Sequence, residues 1–269
     1  MAKVLVIGTG GREHAICWKF SQSPLVEEVF VANGNGGMDD VATVVNIKPL
    51  EFDKLIAFAK EEGIDLTFVG PEIPLCAGIV DAFKKEGLLV YGPSKDAAQL
   101  EGSKRFAKDM MAKYNIPTAE YEVFDNAEDA IKYLETAPIP TVIKADGLAL
   151  GKGVIIAETR EDAVDAVKSM MEDKVFGASG NNVVVEEFLT GPEVSVLAFT
   201  DGKSVVPMVS SMDHKRALDG DKGLNTGGMG TVAPNPYYTD DIAKVCMDTI
   251  FKPTIDAMNS EGRSFKGCL

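Results

Sequence analysis

Val4-Leu5-Val6-Ile7-Gly8-Thr9-Gly10-Gly11-Arg12-Glu13 decides the reading of the first half of the chain. Four apolar residues in a row read as a strand buried on both faces, and the glycines that follow as a tight turn. A helix is expected over 12–21, with Ala15, Ile16 and Lys19 at helical spacing. The alternation continues. Residues 29–32 read as strand, 33–37 as turn, and 51–61 as a helix carrying Phe52, Leu55, Ile56 and Ala59. Strand 66–69 ends at Gly70-Pro71, helix 77–85 follows, and strand 88–91 closes at Gly92-Pro93. Strands alternating with helices imply parallel pairing and right-handed crossovers, so residues 1–101 are expected to form a doubly wound α/β domain.

Beyond Pro117 the pattern changes. Residues 103–115 read as a connecting helix, and Asn126 as the cap of a helix bearing Ala127, Ala130, Ile131 and Leu134. Strand 140–145, a glycine-rich turn over 146–153 and strand 154–157 come next. Thr159 and Asp162 form a capping-box pattern opening a helix that runs to 171. Strand 183–187 precedes two strands, 193–200 and 204–209, around the hairpin turn Asp201-Gly202. Hairpins with covering helices make 102–269 an α+β domain, with a flap subdomain over about 117–187.

The chain has 269 residues, 27 Lys and Arg against 41 Asp and Glu, and a formal charge of −14. The length suits about two domains. The charge disfavours nucleic acid and anionic lipid as partners. No segment reaches the roughly 18 to 20 apolar residues that span a bilayer. Cys17, Cys76, Cys246 and Cys268 are scattered, as expected of free thiols in a reducing cytoplasm. Only His14 and His214 occur, which argues against a His/Cys zinc site, and G-x-S-x-G is absent.

Three glycine clusters carry the chemistry. In the first, Glu13 stands where a dinucleotide fingerprint needs glycine, which disfavours a nicotinamide-dependent oxidoreductase. A helix N-terminus beside Arg12 suits one phosphate, and equally a plain strand-to-helix turn without a ligand. The second, Lys144 to Gly153, is one residue short of a P-loop and lies between two strands. Its three glycines and two lysines favour a flap over a triphosphate, with Lys152 and Lys144 as point charges, above a loose hairpin. The third, Gly223 to Gly230, follows Asp213-His214-Lys215-Arg216. Alone it reads as a flexible loop; beside the flap it reads as the acceptor side of one site. Glu186 and Glu187 at a strand end are either solvated edge carboxylates or part of an adenine-reading hinge, with Glu193 accepting from ribose hydroxyls. Glu72 follows a parallel strand, where α/β sheets place ligands, and is equally a helix N-terminal charge.

In order, V-L-V-I-G-T-G-G-R-E-H-A (4–15), V-G-P-E-I-P-L (69–75), I-P-T-A (116–119), I-K-A-D-G-L-A-L-G-K-G-V (143–154), E-E-F-L (186–189), D-H-K-R (213–216) and N-T-G-G-M-G (225–230) span nearly the whole chain. With them the chain resembles the phosphoribosylamine–glycine ligase family, ATP-grasp enzymes of purine biosynthesis. The resemblance implies a pre-ATP-grasp domain followed by an ATP-grasp domain, and ligation of glycine to 5-phosphoribosylamine through a glycyl phosphate. It implies ATP bound by Lys104, Lys144, Gly151, Lys152, Gly153, Glu186, Glu187, Phe188, Leu189 and Glu193. It also implies that Gly10, Gly11, Arg12, Glu13, Glu72, Asp213, Lys215, Arg216, Asn225, Thr226, Gly227, Gly228, Met229 and Gly230 contact the phosphoribosylamine side. Lys152, Asp213, Lys215 and Asn225 would be the catalytic residues, with no covalent nucleophile and a monomeric state.

The family's Mg²⁺ or Mn²⁺ ligands lie in an E-x-N-x-R-F-G-D-P-E segment well after N-T-G-G-M-G, whereas this chain ends at Leu269. The expectation is a family sequence without its C-terminal part and its metal ligands, which catalyses little alone. The rivals are another ATP-grasp carboxylate–amine ligase, disfavoured by R-E-H-A and D-H-K-R, and a noncatalytic nucleotide-binding module.

Overall fold

A computed structural model describes residues 1–149, 153–220 and 222–269, with Leu224, Asn225 and Gly227 described by backbone alone. The chain divides into two compact units, residues 1–98 with 263–268, and residues 99–262 with Leu269.

The first unit is built on β1 (Ala2–Gly8), β2 (Val26–Asn33), β3 (Thr43–Val45), β4 (Leu66–Val69) and β5 (Val90–Tyr91), in the order β3-β2-β1-β4-β5. Every pairing is parallel. The helices between them are α1 (Gly11–Ser21), α2 (Phe52–Glu61), α3 (Glu72–Ala77) and α4 (Ile79–Lys85). Side chains alternate along β1. Leu5 and Ile7 pack with Leu55, Ala59, Val80 and Phe83 on one face, while Val4 and Val6 pack with Cys17, Val29, Val31 and Met38 on the other. Both faces are covered, which explains the unbroken apolar run at 4–7 and makes the domain doubly wound. The helix expected over 77–85 forms as α4, and a short helix that was not expected, α3, precedes it and is ended by Gly78 in the left-handed conformation, with φ of 99°.

The second unit begins with α5 (Gln99–Gly102) and α6 (Lys104–Lys113). An antiparallel sheet follows, of β6 (Tyr121–Phe124), β7 (Thr141–Ala145), β8 (Val154–Ala157) and β9 (Val183–Glu187), in the order β6-β9-β7-β8. Helices α7 (Ala127–Leu134) and α8 (Arg160–Met171) cover one face, where Ile143, Ala145, Val183 and Val185 meet Ala130, Leu134, Ala163, Val167 and Met170. Two hairpins come next: β10 (Ala198–Thr200) with β11 (Val205–Pro207), and β12 (Met212–Leu218) with β13 (Lys222–Val232). A helical stretch closes the unit as α9 (Asp240–Cys246), a π-helical turn at Met247–Phe251, and α10 (Lys252–Ser260). No helix among the described residues is long and apolar enough to cross a membrane.

The capping box of α8 forms as its sequence predicts. Asp162 N donates to Thr159 Oγ1 at 3.1 Å, and Thr159 N donates to Asp162 Oδ2 at 3.2 Å. Thr159→Ala therefore removes about 1 kcal/mol of stability, read by urea unfolding, and Thr159→Ser keeps most of it.

Candidate functional site

The face of the second unit's sheet turned away from α7 and α8 carries the charges. In the β7–β9 register, Val142 pairs with Glu186 and Lys144 with Val184, so Lys144 and Glu186 are diagonal neighbours on that face. Lys144 Nζ lies 2.8 Å from Glu186 Oε2. The same oxygen forms a second ion pair with Lys108 Nζ at 2.9 Å. Lys108 also donates to Thr118 Oγ1 at 2.7 Å and Ala119 O at 3.3 Å, with its ammonium 5.5 Å from the centre of the Tyr121 ring. Glu186 is 5% exposed and Lys108 8%. Two ammoniums around one carboxylate leave the trio with one net positive charge.

One turn earlier on α6 stands Lys104, whose Nζ donates to Gly147 O at 3.1 Å. Burial pushes its ammonium below the ordinary lysine range; Glu101 and Asp146 oppose the shift and Lys144 adds to it. Asp146, at the start of the glycine-rich turn, is fastened to the α6 N-terminus. Its Oδ1 accepts from Ser103 Oγ at 3.0 Å and from Arg105 N at 2.8 Å, while Ser103 itself caps the helix. Negative charge there also suits the helix dipole. Gly151 and Lys152 lie outside the described residues; Gly153 O accepts from Ala145 N at 2.8 Å. At the other edge, Glu187 N donates to Glu120 O at 2.9 Å, after which Phe188 and the exposed Leu189 run on as irregular chain.

The third glycine cluster is not a loop. It forms β13, paired antiparallel with β12 in a register that sets His214 against Gly230 and Arg216 against Asn225. Glycine density argues against a strand, yet ladder pairing and side-chain ties override that propensity. Thr226 Oγ1 donates to Lys215 O at 2.8 Å, and Arg216 Nη1 to Gly223 O at 2.7 Å. Register shifts on either side of Arg216 absorb the irregularity. Lys215 is held by Glu193 and lies 3.4 Å from Asp213 Oδ1. Burial works to lower the Lys215 ammonium, but the hydrogen bond and charge of Glu193, with Asp213, outweigh it and hold the group above its ordinary value. Glu193 O in turn accepts from the buried Asn235 at 2.9 Å. Gly228 N donates to Thr226 Oγ1, and Met229 is exposed. The Asn225 side chain lies outside what is described.

In the first unit, Glu13 is 3% exposed. Its carboxylate accepts from Gly10 N at 2.7 Å and from Arg12 Nε at 3.1 Å, and Arg12 Nη2 reaches Glu72 Oε2 at 3.4 Å. A Cβ on Gly8 would stand 2.3 Å from Glu13 Cγ, and one on Gly70 2.2 Å from Glu13 Oε1. The two glycines leave the space that lets a carboxylate enter between the ends of β1 and β4. Gly11 opens α1 and has nothing within 4 Å of where its Cβ would be.

The structure thus gathers Lys104, Lys144 and Glu186 in one place, Arg12, Glu13 and Glu72 in a second, and Glu193, Asp213 and Lys215 in a third. Sequence reasoning missed Lys108, Asp146 and Asn235. Lys108 had one signal, a charge adjoining the buried Ala107 and Met110 on an amphipathic helix.

Gly70→Ala is expected to destabilise the protein by about 1–3 kcal/mol through its clash with Glu13. Glu13→Ala costs stability alone but relieves that clash, so urea unfolding of the two single variants and the double yields a coupling of about 0.5–3 kcal/mol.

Two family models match the chain. Phosphoribosylglycinamide synthetase, N domain, covers residues 2–101, and phosphoribosylglycinamide synthetase, ATP-grasp (A) domain, covers residues 102–269. A phosphoribosylamine–glycine ligase of Halalkalibacterium halodurans is 56% identical over 266 residues, covering 99% of this chain and 62% of the relative. That of Escherichia coli O157:H7 is 52% identical over 269 residues, covering 99% of this chain and 63% of the relative. The crystal structure of phosphoribosylamine–glycine ligase from Thermotoga maritima superposes with a TM-score of 0.84 at 34% identity, over 99% of this chain and 63% of that one. The chain therefore spans less than two thirds of the length of these relatives. From its first strand to its last residues, it belongs to the phosphoribosylglycinamide synthetase family.

Proposed function

We propose that this chain carries the nucleotide-binding part of an ATP-dependent ligase that joins glycine to 5-phosphoribosylamine, giving glycinamide ribonucleotide, ADP and phosphate. The observation that carries the reading is the cationic cluster of Lys104 and Lys144 beside the glycine-rich turn, with Glu186 beneath it. A triphosphate is the anion such a cluster suits, and both lysines stand at points anchored by the backbone rather than on free loops. Phe188 and Leu189 follow the last strand residue as a strip for adenine, and Glu193 supplies a carboxylate for ribose.

The chemistry proposed is two displacements. A glycine carboxylate oxygen attacks the γ-phosphorus as ADP leaves; the amine then attacks the acyl carbon, loses a proton, and expels phosphate. Positioning and charge neutralisation supply most of the acceleration. Lys104 and Lys144 hold the phosphates. Arg12, with Gly10 and Gly11 at a helix N-terminus, suits the phosphate of phosphoribosylamine, and Glu72 its amine or hydroxyls. Glu13 orients Arg12. Lys215, Arg216 and the strand from Asn225 to Gly230 take the acceptor side, with Asp213 setting the charge of Lys215. Residues 1–101 and 102–269 act as the two functional domains, with the flap over about 117–187, in a cytoplasmic monomer.

The resemblance implies Mg²⁺ or Mn²⁺ as a cofactor of the family. Among the described residues, no group of three or more His, Cys, Asp or Glu side chains converges to hold a metal ion, and Mg²⁺ requires several hard oxygens. No step is assigned to it.

Calorimetric titration with ATP, then ADP release with glycine or phosphoribosylamine omitted in turn, tests the reading. Release that requires both acceptors identifies the ligase. Release indifferent to either one sinks it in favour of another reaction, and binding with no release, even when the C-terminal segment of a relative is supplied, favours a noncatalytic nucleotide module. Because only the protonated amine holds a phosphate, the lowered pKa of Lys104 makes ATP affinity decline with rising pH earlier than an ordinary lysine would. Lys104→Arg is expected to move that decline to higher pH, measured as Kd against pH.

A further inference from the structure

Lys108 is a buried cation enclosed among partners of its own chain. Its ammonium donates to Thr118 Oγ1 at 2.7 Å and Ala119 O at 3.3 Å, and forms an ion pair with Glu186 Oε2 at 2.9 Å. Lys144 shares the same Glu186 oxygen at 2.8 Å, but 27% of its side chain is exposed, against 10% for Lys108. One carboxylate oxygen therefore serves two lysines, one enclosed and one facing outward.

We infer that Lys108 is a positioning residue which, by holding the shared oxygen of Glu186, keeps Lys144 free to turn to the phosphates of a bound nucleotide. The inference rests on the nucleotide reading above. Without Lys108, Glu186 and Lys144 would form a closed, neutral pair. Lys144 could then leave only by abandoning a desolvated carboxylate, which would face the incoming phosphates as a bare like charge. With Lys108 in place, the carboxylate stays paired when Lys144 moves, and the trio presents one positive charge instead of none. The sheet register holds Glu186 and Lys144 together, and α6 brings the compensating cation from outside the sheet.

A plain structural staple predicts something different. If Lys108 only fastened Thr118 and Ala119 to α6, its loss would weaken adenosine and ATP binding together. The discriminating quantity is therefore the ratio of ATP to adenosine affinity, measured by calorimetry on the 269-residue chain, with circular dichroism and thermal unfolding as folding controls. Lys108→Met is expected to shrink that ratio about tenfold or more, the value of one charged hydrogen-bonding partner, while adenosine affinity changes little. Lys108→Arg is expected to retain most of the ratio. Lys108→Met with Glu186→Gln is expected to restore it, because the trap for Lys144 has gone. Should Lys108→Met fail to fold, Lys108→Gln takes its place, with a donor toward Thr118 but no charge, and the same loss expected.

A ratio unchanged in the folded neutral variant overturns the inference, as does an equal fall for both ligands or a double variant that restores nothing. A native chain that binds ATP no better than adenosine overturns the nucleotide reading and this inference with it. Native discrimination that survives the loss of Lys108 overturns this inference alone.

Discussion

A carboxylate taken out of water has to be surrounded by donors, and much of the second unit is arranged around the one on Glu186. β9 delivers it, β7 supplies Lys144 from the neighbouring register position, and α6 supplies Lys108. Removing one partner from a buried ion pair costs about 3–5 kcal/mol, far more than the pair contributes relative to an apolar replacement. The arrangement is thus weak as a source of stability and strong as a constraint on geometry. Once α6 is pinned to the sheet through Lys108, Lys104 has a fixed height above the same face, and the α6 N-terminus can receive Asp146. The glycine-rich turn then starts from a fastened residue.

The first unit meets the same physical demand by a different route. Glu13 satisfies its carboxylate with a backbone amide and one guanidinium nitrogen, and reaches both because Gly8 and Gly70 present no side chain. In each unit a buried carboxylate orients a cation whose working end remains open to solvent: Arg12 with 62% of its side chain exposed, Lys144 with 27%. Carboxylates that sequence motifs mark as ligand contacts act here, in the first instance, on their own chain.

What was legible in the sequence was what is local. The apolar run at 4–7, the amphipathic period over 52–61 and the cap at Thr159 are each decided within a few residues, and each forms as expected. The short helix Glu72–Ala77 was not legible, because Gly70, Pro71 and Pro74 punctuate that stretch as a turn. Strand β13 was missed because its glycines have poor strand propensity, and its partner β12 is needed to hold it. The motifs pointed to Lys104, Lys144 and Glu186 singly. That Lys108 completes the set depends on the register of β7 against β9 and on the docking of α6, neither of which a linear string encodes. A lysine on an amphipathic helix reads as solvated until the sheet beneath it is known.

The overall charge bears on this arrangement too. A formal charge of −14 is hostile to anions at long range, yet the proposed ligand is itself a polyanion. The conflict dissolves with distance. At physiological salt the screening length is about 8 Å, so the acidic surface acts weakly on a ligand already seated, whereas partly buried ammoniums in contact with it are hardly screened. An extended polyanion such as nucleic acid would have to lie across the acidic surface as well as the cationic cluster. A nucleotide is small enough to sit within the reach of Lys104 and Lys144. Such a chain discriminates by size as well as by charge, provided its few cations stay free of its many carboxylates. Where carboxylates must lie close to those cations, a further buried cation such as Lys108 is the physical means of keeping the exposed one free.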